Sequence, residues 1–280
     1  MFYQIVNKIL NANKIKAPKL LSNHYKNDMI EISDLGEKSF YNYVVSKKNK
    51  LNDYKSLVKI IIKVQKIKVK KYYRLGKFKV KFSKYSINNL HKESDLFFDW
   101  YLKYFLKKKK ITKIKKLLKA ELNKVYKKLK FSNNTFVHRD FHVSNIMVKK
   151  KKLGLIDSQD AIIGNPLYDV VSLVDDVRIK LPNDLQNNLV NYYHKNSKLK
   201  KDKIENLKND FDILSVQRNL KILGIFVRLS IRDGKNDYLK FLPYTWTLIE
   251  RRLRNPIFKN LNTLINKNLP IKKLRQLNKI

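Results

Sequence analysis

Four polar residues in one short window have the types and the spacing to do chemistry. In "FVHRDFHVSNIMVKKKKLGLIDSQDA", residues 136–161, His138, Asp140, Asn145 and Asp157 stand out from a chain dominated by Lys, Asn, Leu and Ile. Asp140 and Asn145 lie five residues apart at the entrance of the apolar segment "NIMV", and Asp157 ends the segment "LGLID", twelve residues after Asn145. Lys149 to Lys152 read as the polar turn of a β-hairpin joining the two. Pairing of the strands brings Asn145 opposite Asp157, with Asp140 close by. An amide oxygen and a carboxylate are hard donors, the set that Mg²⁺ accepts alongside phosphate oxygens and water. A further carboxylate beside such an ion orients an acceptor hydroxyl and takes its proton during phosphoryl transfer. The plain alternative is that Asp and Asn merely decorate a turn, where both are common. Their place between apolar strands, and two concordant spacings, favour the site.

The elements that must hold this window are mostly helical. Phe2, Ile5, Val6, Ile9 and Leu10 recur at helical spacing, so an amphipathic helix opens the chain. After Pro18, "KLLSNHYKNDMIEISDLG" reads as two short strands around a polar turn, closing at Gly36. Residues 40–130 carry helical patterns, with the lysines 107–110 a solvated helix end or loop between two of them. Helices resume after Pro166 and continue to the end. No internal repeat is present.

Composition narrows the function classes. The 280 residues are 43% hydrophobic and 11% aromatic, enough for a folded core. A formal charge of +40 invites a polyanion-binding reading. Only ten of the 63 basic residues are Arg, however, and the Lys are spread from end to end with abundant Asn, Ile and Tyr. Nucleic-acid readers lean on clustered Arg, so a coding bias explains the charge better than a binding face, and a nucleic-acid partner is not expected. There is no Cys, hence no disulfide, thiolate metal site or thiol nucleophile. The most apolar stretch, "LKILGIFVRLSI", is cut by Lys221 and Arg228, too short and too charged to span a bilayer. The start "MFYQIVNKIL" lacks the features of a signal peptide, so a cytoplasmic protein is expected.

The order His138, Arg139, Asp140, with Asn145 following, is the spacing of the protein-kinase catalytic loop, and Asp157 falls where the metal-binding Asp of those enzymes lies. "HRDFHVSNIMV", "LGLIDSQDAIIGNPLYDVVSLVDDVR", "ESDLFFDWYL" and "QRNLKILGIFVRLSIRDGKNDYLKFLPYTW" resemble the aminoglycoside phosphotransferase and choline kinase superfamily. Within it they are most similar to bacterial cell-wall amino-sugar kinases, which phosphorylate the anomeric hydroxyl of N-acetylmuramate and N-acetylglucosamine in peptidoglycan recycling. The resemblance covers nearly all of the chain. It implies an α+β, protein-kinase-like bilobal fold, with an incomplete small N-terminal lobe over residues 1–36. The helical C-terminal lobe, 37–280, would carry the catalytic hairpin.

By motif, the resemblance makes Asp140 the catalytic base, Asn145 and Asp157 the Mg²⁺ ligands, and Asp169 a brace for the loop that contains His138 and Arg139. Asp160 is placed to approach metal or substrate, or to be a solvated turn residue. His142 packs or hydrogen-bonds within the loop. "MIEISDLG" resembles the strand and hinge that hold adenine through the backbone, pointing to Ser33 and Leu35. Glu93, Asp99 and Trp100 reach the sugar, or belong to an amphipathic helix with a buried Trp.

The implied cofactors are ATP and Mg²⁺, and the implied partners a small sugar and the nucleotide. An aminoglycoside or choline acceptor, or a kinase-like scaffold without turnover, is the alternative. Two departures stand against the pattern. Ser158 occupies a position where such enzymes commonly carry Phe. The six Gly are scattered with no G-x-G-x-x-G, and the first helix holds no Glu to pair with an ATP-binding Lys. The chain is therefore expected to open inside the small lobe, through a late start, a lobe from a neighbouring chain, or decay.

Overall fold

In the computed structural model, which describes residues 2–24, 29–76 and 78–269, the first elements are α1 (Phe2–Ala12), β1 (Leu20–His24), β2 (Met29–Ile32), α2 (Phe40–Val44), α3 (Leu51–Gln65), β3 (Tyr73–Leu75) and β4 (Phe78–Val80). There follow α4 (Ile87–Leu96), a π-helical turn (Phe97–Leu102), α5 (Lys103–Phe105), α6 (Lys108–Tyr126), β5 (Thr135–Val137), β6 (Ile146–Lys149), β7 (Lys152–Leu155) and β8 (Ile162–Gly164). The chain continues through α7 (Tyr168–Val174), α8 (Asn183–Asn196), α9 (Ile204–Asp233), α10 (Leu242–Arg252) and α11 (Lys259–Asn268). Two compact units form: Met1–Tyr85 with Ser132–Asp202, and Ser86–Phe131 with Lys203–Ile280.

The first unit contains the polar window. Its opening helix forms for the reason its spacing suggests, since α1 buries Ile5, Val6, Ile9 and Leu10 along one face. β1 and β2 pair antiparallel as expected; the polar turn between them lies outside the described residues. This two-stranded ribbon leaves Leu21, Met29, Ile30 and Ile32 exposed.

The hairpin at the heart of the window is present, with Ile146 opposite Leu155 and Lys149 opposite Lys152, a register that sets Asn145 beside Ile156, one residue before the expected Asp157. Lys150 and Lys151, at φ 50° and 60°, are its two central turn residues. Positive φ at both is the requirement of a type I′ turn, which matches the twist of the strands although Lys lacks the Asn-Gly preference for it. The hairpin is stitched into the unit on both sides. The Leu155 amide donates to the Lys16 carbonyl at 2.8 Å, and the Val148 amide to the Lys38 carbonyl at 2.8 Å.

Two pairings were not legible in the sequence. β5 and β8 form a short antiparallel pair that flanks the window, and the Lys84 segment joins it through the Ile163 amide, which donates to the Ser83 carbonyl at 3.0 Å. β3 and β4 interrupt a region that reads as helical throughout. Each of these strands has three residues, too few for a period-2 pattern to declare itself.

The second unit is built on α9, a helix of 30 residues. At its start the buried Asp210 carboxylate accepts the backbone amides of Lys130 at 2.8 Å and Phe131 at 2.9 Å. Further along, Gly224 meets the backbone of Leu96, where α4 gives way to the π-turn; a Cβ there would lie 2.3 Å from the Leu96 carbonyl carbon and oxygen. Trp246 is fully buried and its indole donates to the Tyr101 hydroxyl at 2.6 Å. The lysines 107–110 open α6, in line with a solvated helix end. No helix among the described residues is long and apolar enough to cross a membrane. Residues 270–280, expected to continue the helical tail, lie outside the described residues.

Two stability outcomes follow. In a free helix Gly→Ala gains up to about 1 kcal/mol. Gly224→Ala is expected to do the reverse and lose about 1–3 kcal/mol in urea denaturation, because the new methyl meets backbone that cannot rotate away. Asp210→Ala strands two partly buried amides and is expected to cost about 1–3 kcal/mol in the same measurement. Wild-type midpoints for either variant would refute these assignments.

Candidate active site

The loop between β5 and β6 is shaped by one buried carboxylate. Asp169, in the first turn of α7 and 0% exposed, accepts the His138 amide at 2.8 Å and the Arg139 amide at 2.9 Å. These bonds hold Arg139 at φ 76°, a left-handed conformation that a long side chain rarely takes unaided. The turn that results delivers Asp140. Its backbone carbonyl accepts the His142 amide at 3.0 Å and the Asn145 side-chain amide at 3.1 Å. The Asp140 carboxylate itself is half-buried.

Asn145 also donates to Asp157 Oδ2 at 3.1 Å. The hairpin explains the meeting: beyond the first β6–β7 pair the Ile156 amide donates to the Asn145 carbonyl at 3.0 Å, and Asp157 is the next residue. With its amide nitrogen committed twice, Asn145 keeps its side-chain oxygen as a lone-pair donor. Asp157 sits in the left-handed region, φ 63° and ψ 42°, and its second oxygen accepts from Gln159 at 2.6 Å. Asp140, Asn145 and Asp157 are thus brought together.

His138 is 1% exposed, and burial pushes its pKa down to about 4 against the pull of Asp140, Asp157 and the Ile156 carbonyl. It is a neutral wall of the site near pH 7, which suits packing better than proton transfer. Asp160 is exposed and lies 3.6 Å from the Arg139 guanidinium.

Three of the expected nucleotide or sugar contacts have other partners. The Ser33 amide donates to the Lys19 carbonyl at 2.8 Å and its hydroxyl accepts the Lys19 amide at 2.9 Å. Glu93 is buried in the second unit, where its carboxylate accepts from Gln217 at 3.0 Å and Lys221 at 3.1 Å. Asp99 pairs with Lys115 at 2.6 Å. Leu35 is buried with its side chain against Gly154, where any Cβ would come within 2.9 Å of it. Trp100 is half-buried in the π-turn; the fully buried Trp of this unit is Trp246.

The structure adds residues that the sequence did not mark. Asp176, 2% exposed, accepts the Val143 amide at 3.0 Å and both the amide and guanidinium of Arg178 at 3.1 Å. Burial alone would push its pKa up; the Arg178 guanidinium, His142 and the two amides outweigh that and hold it below the usual carboxylate range. The loop between β5 and β6 is therefore clamped at two places, by Asp169 at 138–139 and by Asp176 at 143. His142 lies in the loop within 3.4 Å of Arg178. The available signal was a pair of acidic residues, Asp175 and Asp176, in the otherwise apolar "VVSLVDDV". Ser158, at the position where the resemblance leads one to expect Phe, donates a 2.6 Å hydrogen bond to Asn7 of α1.

Known proteins resemble the chain in sequence and in fold. The chain is 28% identical over 252 residues to an N-acetylmuramate/N-acetylglucosamine kinase of Pseudomonas aeruginosa, covering 87% of this chain and 72% of that one. Its fold matches a choline/ethanolamine kinase family protein from Mesorhizobium loti, with a TM-score of 0.61 at 13% identity over 95% of this chain and 82% of the other. It also matches an AMP-bound spectinomycin phosphotransferase, with a TM-score of 0.60 at 10% identity over 91% and 84% of the two chains. These likenesses establish the α+β, protein-kinase-like fold. The phosphotransferase enzyme family profile matches residues 2–203, and the chain belongs to that family.

Proposed function

We propose that this phosphotransferase moves the γ-phosphate of ATP, with Mg²⁺, to the anomeric hydroxyl of N-acetylmuramate or N-acetylglucosamine. The observation that carries the reading is the Asn145–Asp157 pair at 3.1 Å, bonded through Asn145 to the backbone of Asp140. The relatives named as amino-sugar kinases support the acceptor.

The donors fit a small hard cation. Among the described residues no three His, Cys, Asp or Glu gather as a metal cluster. Mg²⁺ does not need one, since it binds through one or two protein oxygens and fills its shell with phosphate oxygens and water. Asn145 Oδ1 and the Asp157 carboxylate are the oxygens that would hold it. The ion, when bound, neutralises charge developing on the transferred phosphoryl group.

The rest falls to the chain itself. Asp140 makes no hydrogen bond or ion pair through its carboxylate among the described residues, so it is open to the sugar hydroxyl and takes its proton as the oxygen attacks. Asp169 and Asp176 hold the loop so that this carboxylate does not turn away. In this reading residues 1–36 serve the nucleotide, with the Leu35 backbone facing adenine, and 37–280 carry the chemistry.

Incubation with Mg²⁺, γ-labelled ATP and either sugar is expected to give a labelled sugar phosphate that mild acid hydrolyses, as anomeric phosphates do. Asp140→Asn is expected to lower kcat by about 10²–10⁴-fold with an unchanged melting temperature. Equal turnover by that variant sinks the assigned base. Firm Mg²⁺-dependent ATP binding without transfer to either sugar moves the acceptor to another small hydroxyl compound, such as an aminoglycoside or choline. Absence of such binding leaves the scaffold reading.

A further inference from the structure

The turn that carries Asp157 is tied to the opening helix by a buried side-chain hydrogen bond that the phosphoryl-transfer reading does not use. Ser158 directly follows Asp157 and is 0% exposed; its hydroxyl donates to Asn7 Oδ1 at 2.6 Å, across 151 residues of sequence. Asn7 is itself buried, in the middle of α1. The helix is held in turn at its far end, where Asn11 donates at 2.9 Å to both the Asn7 and the Ala17 carbonyls. Tyr3, one helical turn before Asn7, lies on the same face. Burial pushes the Tyr3 pKa up, against a hydrogen bond with Asn7 that lowers it, and the charge of Asp157 adds to the rise.

Position and geometry both give this bond leverage on Asp157. A non-glycine residue at φ 63° persists only where its surroundings over-determine it. On one side Asp157 is followed by the short 3₁₀ turn Ser158–Asp160, and Ser158 is the residue of that turn that is buried and anchored. A hydroxyl and an amide, both removed from water, hold a direction as well as a distance. An apolar pair of the same volume would fill the space and leave the turn free to rotate.

We infer that Asn7 and Ser158 are a positioning pair: their hydrogen bond locks the Asp157 turn to α1, so that the affinity of the site for a divalent cation depends on the opening helix. The inference rests on the reading of Asp157 as a cation ligand. Neither residue touches the ion or substrate.

The test uses Mn²⁺ as the probe, with the full chain and saturating ADP, and reads free Mn²⁺ by electron paramagnetic resonance. Ser158→Ala is expected to weaken Mn²⁺ binding about tenfold, the ratio that corresponds to 1.4 kcal/mol. Turnover at saturating metal is expected to stay within about twofold, so the defect shows in the metal requirement and not in kcat. Asn7→Leu attacks the same bond from the helix side and is expected to give the same weakening, and the double variant no more than either single one. It also keeps the test informative if Ser158→Ala does not fold.

A merely structural bond would lower the melting temperature and leave the metal constant alone. Mn²⁺ binding within twofold of the unmutated chain in the folded single variant overturns the inference. So does additivity in the double variant. Asp157→Asn is run beside them. If that change does not weaken Mn²⁺ binding, the ligand reading itself fails and takes the inference with it; if it does, a silent Ser158→Ala overturns the positioning pair alone.

Discussion

The loop between β5 and β6 depends on one carboxylate brought to it from α7. Asp169 is fully buried, and a buried charge is tolerated only when hydrogen bonds replace its water. Here two backbone amides of the catalytic loop do so, and the exchange works in both directions. The loop satisfies the carboxylate, and the carboxylate holds Arg139 in a conformation that L-residues avoid. That single reversal of the chain sends Asp140 out of β5 toward Asn145. Asp176 repeats the device at Val143, so a loop without regular structure is fixed at both ends by charges from the same stretch of chain. Loops that carry chemistry are commonly held by a rigid scaffold in this way.

The hairpin supplies the second constraint. Asn145 and Asp157 meet because the β6–β7 register sets Ile156 beside Asn145, one residue before Asp157, and a slip of the strands would part them. Of the four lysines between them, Lys149 and Lys152 make the last pair of the ladder, and Lys150 and Lys151 the type I′ turn. Their backbone is in the left-handed region where Asn-Gly would sit more easily, so the register is set by the strands and by their bonds to Lys16 and Lys38. A turn that is poor in its own right is carried by the sheet around it.

Those facts explain what was legible in the sequence. The hairpin could be read because two apolar segments and a polar turn are a local pattern, and the spacing of Asp140, Asn145 and Asp157 is local as well. Asp169 was reached through a motif, not through any pattern that says a carboxylate will be buried. Asp176 and the Asn7–Ser158 bond were not reached, because their partners lie 33 and 151 residues away and nothing in either neighbourhood announces the pairing. β5 and β8 went unread for a related reason, since three-residue strands are defined by their partner and not by their own alternation. The partners of Ser33 and Glu93 were equally out of reach: the Ser33 hydroxyl accepts from the Lys19 amide and the Glu93 carboxylate from Gln217, 14 and 124 residues away.

The charge of the chain puts these buried groups in perspective. Sixty-three of its residues are Lys or Arg, and among the described residues no Lys is buried and Arg218 is the only buried Arg. A strongly hydrated ammonium on a flexible stem stays at the surface wherever the fold permits, so the bias that filled this sequence with Lys was absorbed by exposed positions. The interior of the first unit could not absorb it. There Asn7, His138, Asn145, Ser158, Asp169 and Asp176 are six of the twelve polar residues that, among the described residues, stay buried at a cost in free energy. All six lie in, or bond directly to, the two short segments that bear Asp140 and Asp157. In a sequence where surface composition says little about function, these six buried polar groups converge on the segments that the proposed function uses.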